Sequence, residues 1–423
     1  MTPGKVISVD AIDPLVDPQV LDDPYPYYTQ LRTRDPVHLV RGTQTYLVTR
    51  PELIRQVIAD TETFSSATSS FLHVDADGTV RLRSTTPGDI PEADVPSVLA
   101  VADPPDHSRQ RRVLSRVFSP AAVARRERDI REIVARLLEP HLRPGPLDWM
   151  AVMAEPLPSI VLARILGLDD DAAPFLKEFG YAAVEQIGGF VDAERGEEIQ
   201  ARMSDLGPVA DAYTQALTGN GPGPDTVLGA CADAVRTGQL NDLEVISILL
   251  MLVSAGSEST ASLLGTGALL MAKDQSLQQA LRAQPELLSA FVEEACRLDP
   301  PFRGHYRRVT RPTELAGVAL PQDARLVLMW PAANRDESVF DRPDQVQIDR
   351  RGIRQHLGFG WGPHLCIGAP LARLEARLAF EHLLAATTFF HLDDRQAPPT
   401  YLKSLMIRRL VSLPLVLQIR PEH

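Results

Sequence analysis

The chain has 423 residues, 44% of them hydrophobic and 23% charged, with a formal net charge of −12. That composition is ordinary for a globular protein with a large core, and the acidic balance excludes a general nucleic-acid binder, which needs a basic footprint. The cysteines are Cys231, Cys296 and Cys366, an odd and widely spaced set that implies no disulfide framework and fits a reducing, cytoplasmic compartment.

Met1 to Asp10 carries one lysine and no apolar core, so neither a signal peptide nor an anchor reads there. Pro36 to Val40 and Thr45 to Val48 flank Arg41-Gly42-Thr43-Gln44 and predict a β-hairpin. Residues 65–103 are rich in Ser, Thr, Asp, Pro and Gly around an apolar Phe71-Leu72-His73-Val74, and read as a long loop acting as a lid. From Asp106 to about Met271 the pattern is mostly helical, broken at residues 143–146 and 220–224. On the helix that Pro105 opens, His107 and Arg111 fall about 40° apart, while Arg109, Arg112 and Arg116 fall within about 60° on another face. Those three predict an outward basic strip.

Asn241-Asp242-Leu243-Glu244 is a capping box that starts a long helix, apolar almost all round after its first turn. Its most apolar run, Val245 to Val253, is far shorter than the roughly 20 residues that cross a bilayer, so no membrane insertion is expected. In its middle stand Ala255-Gly256-Ser257-Glu258-Ser259-Thr260. A carboxylate buried in an apolar helix is costly without a partner or a task. Further on, Glu294 and Arg297 are three apart and share a helix face. Val318 to Trp330, around Pro321-Gln322-Asp323, and Leu410 to Ile419, around Leu413-Pro414, predict two more hairpins. No repeat and no linker interrupts the chain. One mainly α domain over residues 1–423 is expected, with a small β portion at about 36–50 and 314–330 and a helical core at about 106–300 and 370–390.

The sharpest motif is Phe359-Gly360-Trp361-Gly362-Pro363-His364-Leu365-Cys366-Ile367-Gly368, which presents one cysteine on a glycine-rich loop just before a helix expected from Pro370 to about Leu384. Inward backbone N–H groups and the positive helix end both favour a thiolate, the form that binds metal. A zinc site through Cys366 and His364 fails on ligand number.

This decamer resembles the haem-ligand signature of the cytochrome P450 monooxygenases, with Cys366 as the axial iron ligand. The stretch Ala255 to Thr260 is similar to the family's oxygen-activation motif, in which Glu258 and an alcohol feed protons; Ser259 stands where the family usually has threonine, and Thr260 is the alternative. Glu294, Arg297 and Arg350 resemble the family's buried structural network behind the cysteine loop. His107, Arg111 and Arg307 match positions that grip the haem propionates. The resemblance, from about Asp23 to Pro414, implies the P450 fold, with haem b between the central helix and the cysteine loop against Ala255, Phe359, His364, Cys366 and Gly368. It places Phe71, Leu72, Val74, Leu252, Phe302, Leu405 and Met406 around a small apolar substrate. Pro300 to Arg307 looks most like soluble actinobacterial members, a mycobacterial subfamily in particular. The haem domain consumes the chain, so electrons are expected from NAD(P)H through a separate reductase and ferredoxin, with the basic strip as the ferredoxin's landing place and the protein a monomer. Two rivals stay open: a haem-thiolate protein that binds ligand or gas without turnover, and a peroxide-driven hydroxylase, against which Glu258-Ser259 speaks.

Overall fold

One 32-residue helix, Asp242–Lys273, organises the molecule. The computed structural model describes residues 13–75, 77–84 and 96–420. The capping box forms as the sequence predicts: Asn241 Oδ1 accepts from the Glu244 N–H, and Glu244 Oε2 accepts from the Asn241 N–H. Beyond that turn the helix is lined by buried Val, Ile, Leu, Ala and Gly, and it packs against helices Pro156–Leu166, Ala173–Ile187, Leu288–Leu298 and Ala369–Ala386. Its length and composition would allow it to cross a bilayer, yet 56% of its most apolar stretch is buried inside the protein. Small residues let the neighbours close in. A Cβ on Gly267 would overlap the ring of Phe380 from helix Ala369–Ala386, and one on Gly180 would meet Val253 O at 2.7 Å.

The largest sheet has the order β1 (Val37–Leu39), β2 (Thr45–Val48), β10 (Arg325–Leu328), β7 (His305–Val309), β3 (Phe64–Ser65). The predicted β1–β2 hairpin is present, with Val37 opposite Val48. The hairpin expected over Val318 to Trp330 is not. β9 (Val318–Leu320) pairs with β8 (Thr313–Leu315), while β10 runs parallel to β2 and antiparallel to β7. At the turn, Asp323 has φ 63° and donates its N–H to Val309 O, which sends the chain into another sheet. Leu413-Pro414 is likewise no turn. β12 (Pro414–Ile419) lies between β11 (Thr387–Leu392) and β6 (Gly145–Asp148), and β6 begins within the expected break at residues 143–146. Apolar alternation marks a strand but does not name its partner.

The expected loop at residues 65–103 contains a hairpin, β4 (Ser70–Val74) paired with β5 (Val80–Ser84), and a 3-10 turn at Leu99–Val101. Residues 85–95 of that segment lie outside the described ones, as does the Met1 to Asp10 stretch. Arg81 and Arg83 both pair with Asp75 across the hairpin, so its polar content serves cross-strand ion pairs.

Candidate active site

The cysteine loop is shaped by its glycines. Gly360 and Gly362 have φ of 74° and 66°, the left-handed region that other residues avoid. Between them and the cysteine, Cys366 N–H donates to Phe359 O at 2.8 Å and Leu365 N–H to Gly362 O at 3.1 Å. Gly368 is different: at φ −81° it is right-handed and caps the helix Ala369–Ala386, which begins one residue before the expected Pro370. Burial pushes the Cys366 thiol up, while the N–H groups of Gly368 and Ala369 and the guanidiniums of Arg111 and Arg373 pull it down. The inward donors foreseen from sequence are there and act against that desolvation.

Cys366 opens into a cavity of about 1530 Å³, its open mouth included, whose opposite wall is the central helix at Leu252, Ala255, Gly256, Ser259 and Thr260. One end of the cavity is strongly polar. His107 and His364 lie ring to ring at 4.2 Å, Arg111 donates to Leu365 O at 2.6 Å, and Arg307 is buried on β7 beside them. Burial, then Arg307 and the neighbouring histidines, push the pKa of His364 down to about 3. The Nδ1 atoms of His107 and His364 are buried and without a partner, and Arg307 donates one N–H to Tyr306 O at 2.7 Å. Such a set lacks an anion.

On the central helix the acid and the alcohol face different ways. Ser259 Oγ stands at the cavity and donates back to Ala255 O at 2.7 Å; buried Thr260 lines the cavity beside it. Glu258 is buried away from the cavity lining, against Arg409, whose Nε donates to Glu258 Oε1 at 2.8 Å. That guanidinium also reaches Glu155, which holds Lys177, and lies 4.8 Å over the Tyr181 ring. Glu258 Oε2 has no partner, and burial lifts the carboxyl to about 7 against the pull of Arg409.

Behind the loop, Arg297 donates twice to Glu294 at 2.8 Å, and Arg350 Nε reaches the same carboxylate at 3.0 Å. All three are buried. The residue before Glu294, Glu293, is one that sequence reasoning passed over. It binds His356 at 2.9 Å and Arg373 at 2.6 Å, and Arg373 covers the face of Phe359 in the cysteine loop. Burial opposes the charge on Glu293, but these partners hold its pKa at about 2. Glu375 was missed too: burial alone raises it to about 8, at the cavity wall, with Oε2 unpartnered.

Leu252, Ala255 and Phe302 line the cavity, whereas Phe71, Leu72, Val74, Leu405 and Met406 do not. These five pack in a separate apolar cluster with Leu15, Tyr28 and Tyr306, because β4 is held by the Val74 N–H to Gly189 O bond and by Phe71 edge-on to Tyr306. The three-arginine strip also needs correction. Arg109 binds Glu244 at 2.6 Å and Asp106 at 2.7 Å, tying its helix to the central one, so Arg112 and Arg116 remain as the outward pair.

Residues 282–415 match the family model described as Cytochrome P450. Cytochrome P450 144 of Mycobacterium tuberculosis is 35% identical over 399 residues, 94% of this chain and 90% of its own length. This chain belongs to the cytochrome P450 family. Cytochrome P450 monooxygenase PikC of Streptomyces venezuelae is 30% identical over 415 residues, covering 93% of this chain and 91% of its own. Among solved structures, that of CalO2 matches with a TM-score of 0.83 at 29% identity, covering 97% of this chain and 100% of that one. The protein is therefore a cytochrome P450 monooxygenase with the mainly helical fold of these relatives.

Membership implies haem, and the residues fit it. With haem present, the cavity would offer one cysteine sulfur to iron and, at one end, two histidines with unpartnered nitrogens and two arginines to a pair of propionates. When bound through Cys366, haem supplies the redox chemistry of dioxygen. Arg111, Arg307, His107 and His364 would hold it, and Phe359 and Ala255 would cover its faces.

Proposed function

We propose that this P450 inserts one oxygen atom of O₂ into an apolar small molecule, using electrons from NAD(P)H passed through a separate reductase and ferredoxin. What supports this reading is a single cavity bounded by Cys366 on one wall and Ser259 and Thr260 on the other, with its cations gathered at one end. Elsewhere the wall is Leu99, Leu162, Met251, Leu252, Phe302 and Leu371, which would hold a substrate by excluding water and fixing its orientation. Ser259 hands a proton to the cavity, and Glu258 restores it from the Arg409 side. Thr260 is the alternative hydroxyl. With three free cysteines and external reductants, the enzyme works in the cytoplasm as a monomer.

The test has two parts. The reduced, carbon-monoxide-bound protein is expected to show the strongly red-shifted Soret band of thiolate ligation, and Cys366→Ala to lose it. An unshifted band in folded, haem-loaded protein overturns the assignment. Ligands that shift the Soret band are then incubated with ferredoxin, reductase and NADPH. Oxygenated product is expected; ligand binding with no product under any electron supply would mean a binding or sensing protein.

A further inference from the structure

His305 stands in the cavity wall at the start of β7, between Phe302, whose ring meets it edge-on at 5.1 Å, and Trp330. Trp330 Nε1 donates to His305 Nδ1 at 2.7 Å. An indole N–H can only donate, so Nδ1 must carry a lone pair, and the neutral ring has its one proton on Nε2. The sheet holds this pair in place, because His305 on β7 lies opposite Leu328 on β10, two residues before Trp330. Burial and the nearby Arg307 push the imidazole pKa down to about 4, so the ring stays neutral at ordinary pH. Among the described residues no hydrogen bond to Nε2 is formed. In a wall that also carries His107, His364, Arg111 and Arg307, this leaves Nε2–H as an unpaired neutral donor on a residue that lines the cavity.

We infer that His305 is a neutral hydrogen-bond donor, locked in its Nε2–H form by Trp330, that holds an oxygen acceptor within the cavity. The acceptor is a carboxylate or carbonyl oxygen. It comes either from a haem propionate or from the substrate, and in the second case it orients the substrate relative to Cys366. Trp330 is a positioning residue that acts through the histidine. The inference rests on the haem-bearing reading of the cavity, so every variant is first checked for the shifted carbon-monoxide band; a missing band in the wild type refutes that reading, not the donor.

Three variants separate the outcomes: His305→Phe removes the donor, His305→Gln puts an amide N–H near the same point, and Trp330→Phe frees the tautomer. In one arm, each holoenzyme is titrated with 1-dodecylimidazole and with 12-(imidazol-1-yl)dodecanoic acid, which bind iron alike and differ by a carboxylate on a flexible chain. In the other, loss of haem and of haem dimethyl ester to apomyoglobin is timed. A substrate-side donor gives the acid an advantage of about tenfold in wild type, abolished in His305→Phe, restored in His305→Gln and reduced in Trp330→Phe, with haem loss unchanged. A propionate-side donor makes His305→Phe lose native haem several-fold faster than wild type, with a smaller difference for the dimethyl ester, whose carbonyl oxygens accept more weakly than a carboxylate. If neither arm responds, or if His305→Gln behaves like His305→Phe in both, the inference is wrong. Should His305→Phe fail to fold, Trp330→Phe against wild type carries both measurements.

Discussion

Two sets of buried polar groups, one behind the cysteine loop and one in and beside the cavity, are finished to different degrees. Behind the loop, both oxygens of Glu294 are taken by Arg297 and Arg350, with the Gln347 N–H as a further donor, and both oxygens of Glu293 are taken by Arg373. In the cavity wall, Glu375 Oε2 and the Nδ1 atoms of His107 and His364 have no partner, and away from it, beside Arg409, neither do Glu258 Oε2 and Tyr181 OH. A buried polar atom left unpaired costs about 1–3 kcal/mol, more when charged, and in the cavity wall a ligand or a moving proton can supply the missing partner. The closed set holds shape; the open set does the work.

The largest effect should come from opening the closed set. Arg297→Leu strands the Glu294 carboxylate beside Arg350 alone, and loss of one partner of a buried ion pair costs about 3–5 kcal/mol. Urea unfolding of the haem-loaded protein should show that loss, with haem release at lower denaturant than in wild type. A change below about 1 kcal/mol would mean that the network is not what braces the loop.

Glu258 tests the open set. Its carboxyl, ordinarily near 4.5, sits at about 7. The folded state therefore holds a proton that the unfolded chain has released between those values, so this group's contribution to stability falls as pH rises from about 4.5 to about 7. The same titration governs its use as a proton donor. Coupling of NADPH oxidation to product should decline as pH rises through about 7 in wild type, and Glu258→Gln should be poorly coupled with that limb gone. An unaltered limb in the variant would assign the titration elsewhere, with Glu375, at about 8, the next candidate.

What the sequence revealed of all this follows from how local each feature is. Gly360 to Cys366 and the central helix from Asn241 are contiguous, and their turn chemistry and capping box can be read directly from neighbouring residues. Glu294 with Arg297 is one helical turn. The partners that complete the site come from far along the chain: Arg409 reaches Glu258, Trp330 reaches His305, and Arg109 reaches Glu244. No spacing rule carries that information. Strand partners failed for the same reason, since β9 and β10 are separated by a turn yet belong to different sheets. The apolar Phe71-Leu72-His73-Val74 was visible as a cluster, but whether it faces a ligand or the protein's own Tyr306 is decided by tertiary packing.

A smaller effect separates the two hydroxyls. Ser259 Oγ is tied to Ala255 O, a bond any helical serine makes, so its presence at the cavity is no proof of function. Ser259→Ala should leave ligand affinity unchanged and divert reducing equivalents to hydrogen peroxide, while Thr260→Ala stays coupled. If only Thr260→Ala uncouples, the roles are exchanged; if neither single variant nor the double one does, both hydroxyls belong to helix packing.

The smallest effect lies outside the cavity, on the surface next to its closed side. Arg112 and Arg116 are exposed, and the residue before Arg112 touches Leu365 O in the cysteine loop. Arg112 forms no ion pair among the described residues, and Arg116 spends one N–H on Pro224 O at 2.6 Å. On a chain of net charge −12, a local cationic spot on the helix that touches the cysteine loop is what would attract an acidic electron donor against overall repulsion. With Arg109 committed to Glu244, two charges remain rather than three, so the effect should be modest. Arg112→Glu with Arg116→Glu should slow the first electron from ferredoxin several-fold at low ionic strength and flatten its salt dependence, since rim charges act mainly on encounter. Reduction by dithionite and ligand affinity should not change. Ferredoxin kinetics identical to wild type at low salt would place the landing site on another face.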